Sequence, residues 1–254
     1  MYIDTHCHLN FKEFDEDRAM IIGNAKKAGV KRFIIPGTNP ITSRSATLLA
    51  AIDPTTLFAS VGCHPYDTRN VPSGQDIERL ISKATVAIGE CGLDYHIYNG
   101  EPATGRKEEQ KQLFEMQLSI ALRYHLPVII HSREAFEDIF SVLDSLPALP
   151  KGVFHCFSGG LVDVREIHKR GFFLGLDGNA TYSKQLKLVL PSIPLSMILL
   201  ETDAPYLAPV GHRGERSEPK YIPLIAQTIA ELQNKNIHEI EETTTANAKQ
   251  LFSL

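Results

Sequence analysis

The sequence has few cysteines, no tryptophan, no basic excess and no long apolar run. Four cysteines in 254 residues are too few for a secreted disulfide scaffold, and none stands in a C-x-x-C pair typical of a structural zinc knuckle. The net charge of −4, with ten histidines counted as neutral, argues against tight non-specific nucleic-acid binding. A nucleic-acid substrate held by a few contacts is still compatible with this charge.

Membrane and export signals are also missing. No apolar run approaches the ~20 residues that a membrane span needs. The N-terminal residues lack the basic and apolar regions of a signal peptide. We therefore expect a cytoplasmic protein with no membrane association and no obligate protein partner.

The composition is that of an ordinary globular protein, with 43% hydrophobic and 22% charged residues. Short β-rich segments alternate with longer amphipathic ones along the whole chain. The predicted strands are 2–5, 32–36, 57–62, 86–89, 127–131, 152–156, 172–176 and 197–201. The predicted helices are 15–28, 106–124, 134–143, 162–169, 184–189, 222–233 and 239–252. This alternation predicts an α/β fold, a (β/α)8 TIM-like barrel, with residues 1–254 as one domain.

Two irregular stretches, 92–105 and 203–219, follow the fourth and eighth predicted strands. In a barrel of this type, the segments that follow the strands build the active site.

Histidines and carboxylates collect at the carboxyl ends of the predicted strands. His6 and His8 share one face of the first strand's end, because side chains two residues apart point the same way. The other strand ends contribute Glu90, His131, His155 and Asp203. All of these ends meet at one face of a closed barrel. Four imidazoles and two carboxylates there predict a site for one or two divalent ions such as zinc, manganese or iron.

Each of these residues alone has an ordinary structural explanation, such as a buried, hydrogen-bonded histidine or a salt-bridged glutamate. The coincidence of six at equivalent strand ends is what favours a metal site. His64, after the third strand, is placed either to contact substrate or as a simple loop residue. Arg133, Arg213 and Arg216 are candidates for phosphate contacts, each with a surface salt bridge as the alternative.

Seven stretches of the chain match a known family, and they are residues 3–9, 60–65, 89–95, 127–133, 155–159, 201–207 and 247–248. On these motifs the sequence resembles the TatD deoxyribonucleases, within the amidohydrolase-like barrels. Asn10 is a small departure, standing where an aspartate is common. The resemblance implies a TIM-like barrel and a metal-dependent phosphodiesterase or exonuclease acting on DNA ends. It also implies that the metal ligands are His6, His8, Glu90, His131, His155 and Asp203.

On this basis we expect two ions, one held by His6, His8 and Asp203 and one by His131 and His155, with Glu90 bridging. Their identity is left open among Zn, Mn, Mg and Fe. The expected general base is Asp203, and His64 is expected to orient the substrate or leaving group. Substrate contacts are predicted for Arg133, Tyr95, Tyr206 and Arg213, the two tyrosines by stacking on a terminal base.

Three alternatives stay open at this point. The chain could be an amidohydrolase-type enzyme cleaving C–N or C–O bonds, an aminoacyl-tRNA deacylase, or a non-catalytic protein that kept the fold. Some amidohydrolases bridge two metals with a carboxylated lysine, but here Glu90 occupies the corresponding place.

The four cysteines each stand beside a candidate site residue, at positions 7, 63, 91 and 156. Strand alternation then predicts that they face outward beneath the helices, free, buried and not bound to metal.

Overall fold

A computed structural model of the chain describes residues 1–66, 71–98, 101–102 and 107–254. Eight parallel strands pair in the order β1-β2-β3-β4-β7-β8-β9-β10, and a small antiparallel hairpin is formed by β5 and β6. The strands are β1 Tyr2–Asp4, β2 Val30–Pro36, β3 Leu57–Val61, β4 Thr85–Asp94, β5 Ile97–Tyr98, β6 Glu101–Pro102, β7 Val128–Arg133, β8 Gly152–Phe154, β9 Phe173–Leu176 and β10 Ile198–Leu200. The first and last strands meet where the Thr5 N–H donates to the Leu200 carbonyl at 3.0 Å. The predicted (β/α)8 barrel is confirmed.

Helices surround the strands. They are α1 Arg18–Lys27, α2 Pro40–Ala50, α3 Gly74–Glu78, α4 Lys107–Tyr124, α5 Phe136–Ser145, α6 Leu161–Lys169, α7 Lys184–Val189, α8 Ile222–Gln233 and α9 Ile237–Phe252. The predicted helices lie within a few residues of seven of these, although residue 106, where one was predicted to begin, lies outside the described residues. Helices α2 and α3 were missed by the sequence prediction.

The fourth strand is longer than predicted. It continues past residue 89 to Asp94, with Cys91 opposite Ile130 and Asp94 opposite Arg133 on β7, after a shift in register. The two strands approach closely here, and only glycine fits at position 92. A Cβ on Gly92, whose φ is +134°, would lie 2.0 Å from the His131 carbonyl oxygen. The predicted irregular stretch 92–105 is therefore wrong in part. Residues 92–94 are strand and β5 and β6 pair with each other, while 99–100 and 103–105 lie outside the described residues.

The core has two parts that follow the alternation of the strands. One interior cluster takes residues from six barrel strands and from the end of α9, namely Ile3, Ile34, Ala87, Ile129, Val153, Leu199, Ala248, Leu251 and Phe252. Their strand neighbours, such as Phe33, Ile35 and Ile88, pack in the larger cluster that includes helix residues. This alternation fixes which side chains face the barrel axis.

The cysteines follow this pattern with one exception. None of the four is paired in a disulfide, and Cys7, Cys63 and Cys91 are buried in the larger cluster, as predicted. Cys156 is half-buried and lines the cavity at the carboxyl ends of the strands, so its predicted position is wrong. Strand β8 ends at Phe154 and the backbone at Cys156 turns into the left-handed region, with φ +48°, so the alternation stops before this residue.

In the described part of the chain, every helix is too short or too polar to span a bilayer.

Candidate active site

A cavity of about 820 Å³ opens at the carboxyl ends of the barrel strands. Six of the predicted histidines and carboxylates line it, namely His8, His64, Glu90, His131, His155 and Asp203. His6 is fully buried beside them. The described part of the structure thus brings all six predicted ligands and His64 to one place.

One group of donor atoms comes from the ends of β1 and β10. Nε2 of His6 and Nε2 of His8 lie 3.2 Å apart. Oδ1 of Asp203 lies 3.6 Å from the first nitrogen and 3.4 Å from the second. Oε2 of Glu90 lies 3.4 Å from His6 Nε2 and 3.8 Å from His8 Nε2.

The buried carboxylate of Asp4 ties these two strand ends together. It accepts hydrogen bonds from the His6 N–H at 3.2 Å, the Thr202 N–H at 3.1 Å and the Thr202 hydroxyl at 2.6 Å. Burial raises the pKa of Asp4 to about 7, although these hydrogen bonds oppose that rise. The network fixes the backbone that carries His6 and Asp203.

A second group of donor atoms surrounds the other oxygen of Glu90. Oε1 lies 2.8 Å from His155 Nε2 and 3.2 Å from His131 Nδ1, and these two nitrogens are 3.3 Å apart. His64 Nε2 approaches the same oxygen at 3.3 Å. The carboxylate of Glu90 therefore faces one group with each oxygen.

These spacings fit divalent metal ions. Ligand atoms about 2.1 Å from a tetrahedral ion lie about 3.4 Å from one another. The separations within the first group run from 3.2 to 3.8 Å, and those within the second from 2.8 to 3.3 Å. Three clusters of metal-type donors are found in the described residues. They are His6, His8 and Asp203; His64, Glu90 and His131; and His6, His155 and Glu201.

The charges of the site are set by burial and by the mixture of imidazoles and carboxylates. Burial raises the pKa of Glu90, but the nearby His155, His64 and His131 outweigh it and hold that pKa well below its ordinary value. The pKa of Asp203 is likewise lowered, because contacts with His8 and His6 outweigh its burial. Both carboxylates are ionised at neutral pH.

The histidines divide into two kinds. Burial lowers the pKa of His6 to about 4 and also lowers the pKa of His64. At His131 burial is outweighed by hydrogen bonds to Asp94 and Glu90, which raise its pKa to about 9. His6 and His64 are therefore neutral near pH 7, whereas His131 carries a proton in the metal-free protein.

Two carboxylates behind the site were not singled out from the sequence. Oδ2 of Asp94 lies 3.1 Å from Nε2 of His131, on the side of the ring away from Glu90. Glu201 is fully buried, accepts a hydrogen bond from the Cys156 N–H at 2.5 Å and lies 3.8 Å from Nδ1 of His155. Asp94 is four positions from Glu90 in the sequence, Glu201 is two positions from Asp203, and both fall within the motif stretches. This closeness in sequence to a predicted ligand was the signal that could have found them.

Some of the predicted substrate contacts line the cavity and others do not. Arg133 and Tyr206 line the cavity, and Tyr206 is 52% exposed. Tyr95 points elsewhere, since its hydroxyl donates to Asp138 at 2.7 Å and its ring lies beneath the Lys107 ammonium. The structure does not bring Tyr95 to the cavity.

The two arginines of the last loop are also absent from the described residues that line the cavity. The Arg213 guanidinium lies 3.7 Å from the centre of the Tyr182 ring. Arg216 donates to Asp17 at 2.6 and 3.1 Å and lies over the Phe14 ring. Arg216 therefore has the structural role that was its alternative, pinning the loop to the segment before α1.

The chain is similar to known proteins along nearly its whole length. A model of the family described as TatD related DNase matches residues 3–253. The chain belongs to the TatD family. A relative from Bacillus subtilis named as the uncharacterized metal-dependent hydrolase YabD is 37% identical over the full length of both chains. The 3'-5' ssDNA/RNA exonuclease TatD of Pectobacterium atrosepticum is 36% identical, with 99% of each chain covered.

Solved structures of TatD relatives share the barrel. The Escherichia coli TatD homologue YJJV has a TM-score of 0.89 and 32% identity, covering 100% of this chain and 98% of the other. A TatD family hydrolase from Entamoeba histolytica has a TM-score of 0.87 at 23% identity, covering 99% and 97%, which shows the fold alone. Family membership makes the chain a metal-dependent hydrolase of the TatD type and argues against the non-catalytic alternative.

Proposed function

We propose that this TatD family member is an exonuclease that hydrolyses terminal phosphodiester bonds of DNA, in the 3'-5' direction, with two divalent metal ions. The observation that carries the proposal is the placement of Glu90 between two groups of metal-type donors, one at each carboxylate oxygen. The relatives named as 3'-5' exonucleases support the substrate class and the direction.

In this proposal one ion is held by His6, His8 and Asp203 and the other by His131 and His155, and Glu90 bridges them. When bound, such ions lower the pKa of a water molecule and neutralise negative charge on the phosphoryl oxygens. The imidazoles of the site suit zinc or iron, and its carboxylates also suit manganese or magnesium.

The chain's own residues supply the remaining steps. Asp203 is ionised and reaches the cavity, so its carboxylate can take the proton of the attacking water as the new P–O bond forms. The P–O bond to the 3' oxygen of the remaining strand breaks, and that oxygen takes up a proton from water. Arg133 would contact the phosphate, His64 would orient the leaving group, and Tyr206 would stack on a terminal base.

The test is nuclease activity of the wild type and Glu90→Ala on single-stranded and duplex DNA, with and without a chelator. We expect chelation or the substitution to abolish activity while the melting temperature shows that the variant is folded. Equal, chelator-insensitive activity in both proteins would refute the proposal. Faster hydrolysis of amides, esters or aminoacyl-tRNA than of DNA would support one of the alternative hydrolase activities instead.

We further propose that residues 1–254 act as one catalytic domain, since the family match covers residues 3–253, and that this domain needs no obligate protein partner. A cytoplasmic location is proposed because none of the four cysteines is paired in a disulfide, as is usual in a reducing compartment.

A further inference from the structure

Helix α4 carries two buried glutamines, Gln110 and Gln117, which are 1% and 0% exposed. Residues seven apart lie near the same face of a helix, here the face toward the barrel. The amide of each side chain forms two hydrogen bonds to the backbone N–H and C=O of one residue, which lies at or just after the end of a strand. We call each such pair an amide clamp.

The first clamp holds the chain just after β3. Gln117 Oε1 accepts from the Cys63 N–H at 2.7 Å, and its Nε2 donates to the Cys63 carbonyl at 2.9 Å. Strand β3 has already ended at Val61, so Gln117 holds the backbone two residues beyond the end of that strand. The next residue is His64, whose Nε2 lies 3.3 Å from Glu90.

The second clamp holds the last residue of β4. Gln110 Oε1 accepts from the Asp94 N–H at 2.9 Å, and its Nε2 donates to the Asp94 carbonyl at 2.9 Å. The Asp94 carboxylate lies 3.1 Å from His131 Nε2, and the opposite nitrogen of that ring lies 3.2 Å from Glu90. A shift of the Asp94 backbone would therefore be passed to His131.

We propose that Gln110 and Gln117 are positioning residues, through which α4 sets the orientation of His131 and His64 around Glu90. This inference rests on the proposed function, because it assigns both histidines to the reacting site. The two clamps differ in what they control. Gln110 acts through Asp94 on a proposed metal ligand, whereas Gln117 acts on a residue proposed to orient the leaving group.

The test uses Gln110→Met and Gln117→Met, which keep the length of the side chain but remove both hydrogen bonds. Leu118→Val is the matched control, since Leu118 is buried on the same helix and takes no part in a clamp. The melting temperature of all three variants shows how much each substitution affects the fold alone.

For Gln110→Met we expect the affinity for one of two Mn²⁺ ions to fall about tenfold. For Gln117→Met we expect kcat on a DNA substrate to fall about tenfold, with KM and Mn²⁺ stoichiometry unchanged. Leu118→Val should change neither quantity. If both methionine variants match the control in metal affinity and kcat, the glutamines serve only the fold and the inference is wrong.

A measurement on the metal-free protein separates this inference from the proposed function. We expect the imidazole ¹⁵N signals of His131 in Gln110→Met and of His64 in Gln117→Met to shift, and to stay in place in Leu118→Val. Those shifts would support the clamps even if the wild type bound no metal, a result that would refute only the proposed function. Unshifted signals in both variants would overturn the clamps.

Discussion

The imidazole rings of His6 and His155 are stacked, with centroids 4.1 Å apart and planes 7° apart, although they follow different strands. Nε2 of His6 faces one oxygen of Glu90 at 3.4 Å, and Nε2 of His155 faces the other at 2.8 Å. The two proposed metal sites therefore share a carboxylate and pack against each other through a pair of rings.

This sharing predicts different effects for two carboxylate variants. Glu90→Gln should weaken both proposed sites and lower activity by at least about 100-fold, because it removes the negative charge of a carboxylate that would contact each ion. Asp203→Asn should weaken only the site of His6 and His8. Titration with Mn²⁺ checks this by stoichiometry, and loss of a single ion in Glu90→Gln would contradict the bridging role.

Metal binding should depend on pH through His131. Its ring is protonated in the metal-free protein below about pH 9, and a metal ligand must be neutral. The apparent affinity should therefore rise about tenfold per pH unit between about 6.5 and 9. In the metal-free protein, the contribution of His131 to folding stability changes with pH in the opposite direction. The raised pKa stabilises the fold fully below about pH 6.5, and that contribution is lost as the pH rises through about 9.

Calorimetric titration at neutral pH in buffers of different ionisation enthalpy measures the released protons. The wild type should release about one more proton per Mn²⁺ at this site than His131→Ala does. An equal proton count in the two proteins would show that His131 is not a ligand or is already neutral.

Tyr206 and Tyr95 should respond differently to substitution. Tyr206→Ala should raise KM for oligonucleotides severalfold, because base stacking on an aromatic ring contributes about 1–3 kcal/mol. Tyr95→Phe should leave KM unchanged and lower only the melting temperature, since it removes the hydrogen bond to Asp138. For a substrate whose terminal nucleotide lacks its base, KM should be the same in the wild type and in Tyr206→Ala. A difference in KM between the two proteins on that substrate would contradict the stacking role.

Arg216 should matter for stability and not for substrate. Arg216→Ala removes the paired hydrogen bonds to Asp17 and the contact with Phe14, so the melting temperature should fall by about 2–4 °C. KM for DNA should stay at the wild-type value. A raised KM with an unchanged melting temperature would restore Arg216 as a phosphate contact.

Much of the site could be predicted from the sequence because the barrel topology brings strand ends that are distant in sequence to one face. Once eight parallel strands are recognised, residues as distant as His6 and Asp203 must meet at one face, and the structure places their side chains 3.6 Å apart. Boundaries were harder, as the extension of β4 shows. The residues after Glu90 pair with β7 only after a register shift, and no local sequence pattern predicts that shift.

Local capping chemistry could have found α2. Asn39 accepts a hydrogen bond from the Thr42 N–H at 2.9 Å, and Pro40 is the first helical residue, a pattern typical of a helix start. The amide clamps had no such signal. Gln110 and Gln117 look like ordinary helix residues until the strand ends that they contact are known.

The proposed pair of ions is tested most directly by anomalous diffraction from crystals of the protein grown with Mn²⁺. We expect two peaks flanking Glu90, one beside His6, His8 and Asp203 and the other beside His131 and His155. A single peak, or peaks that leave Glu90 uncontacted at saturating Mn²⁺, would contradict that proposal.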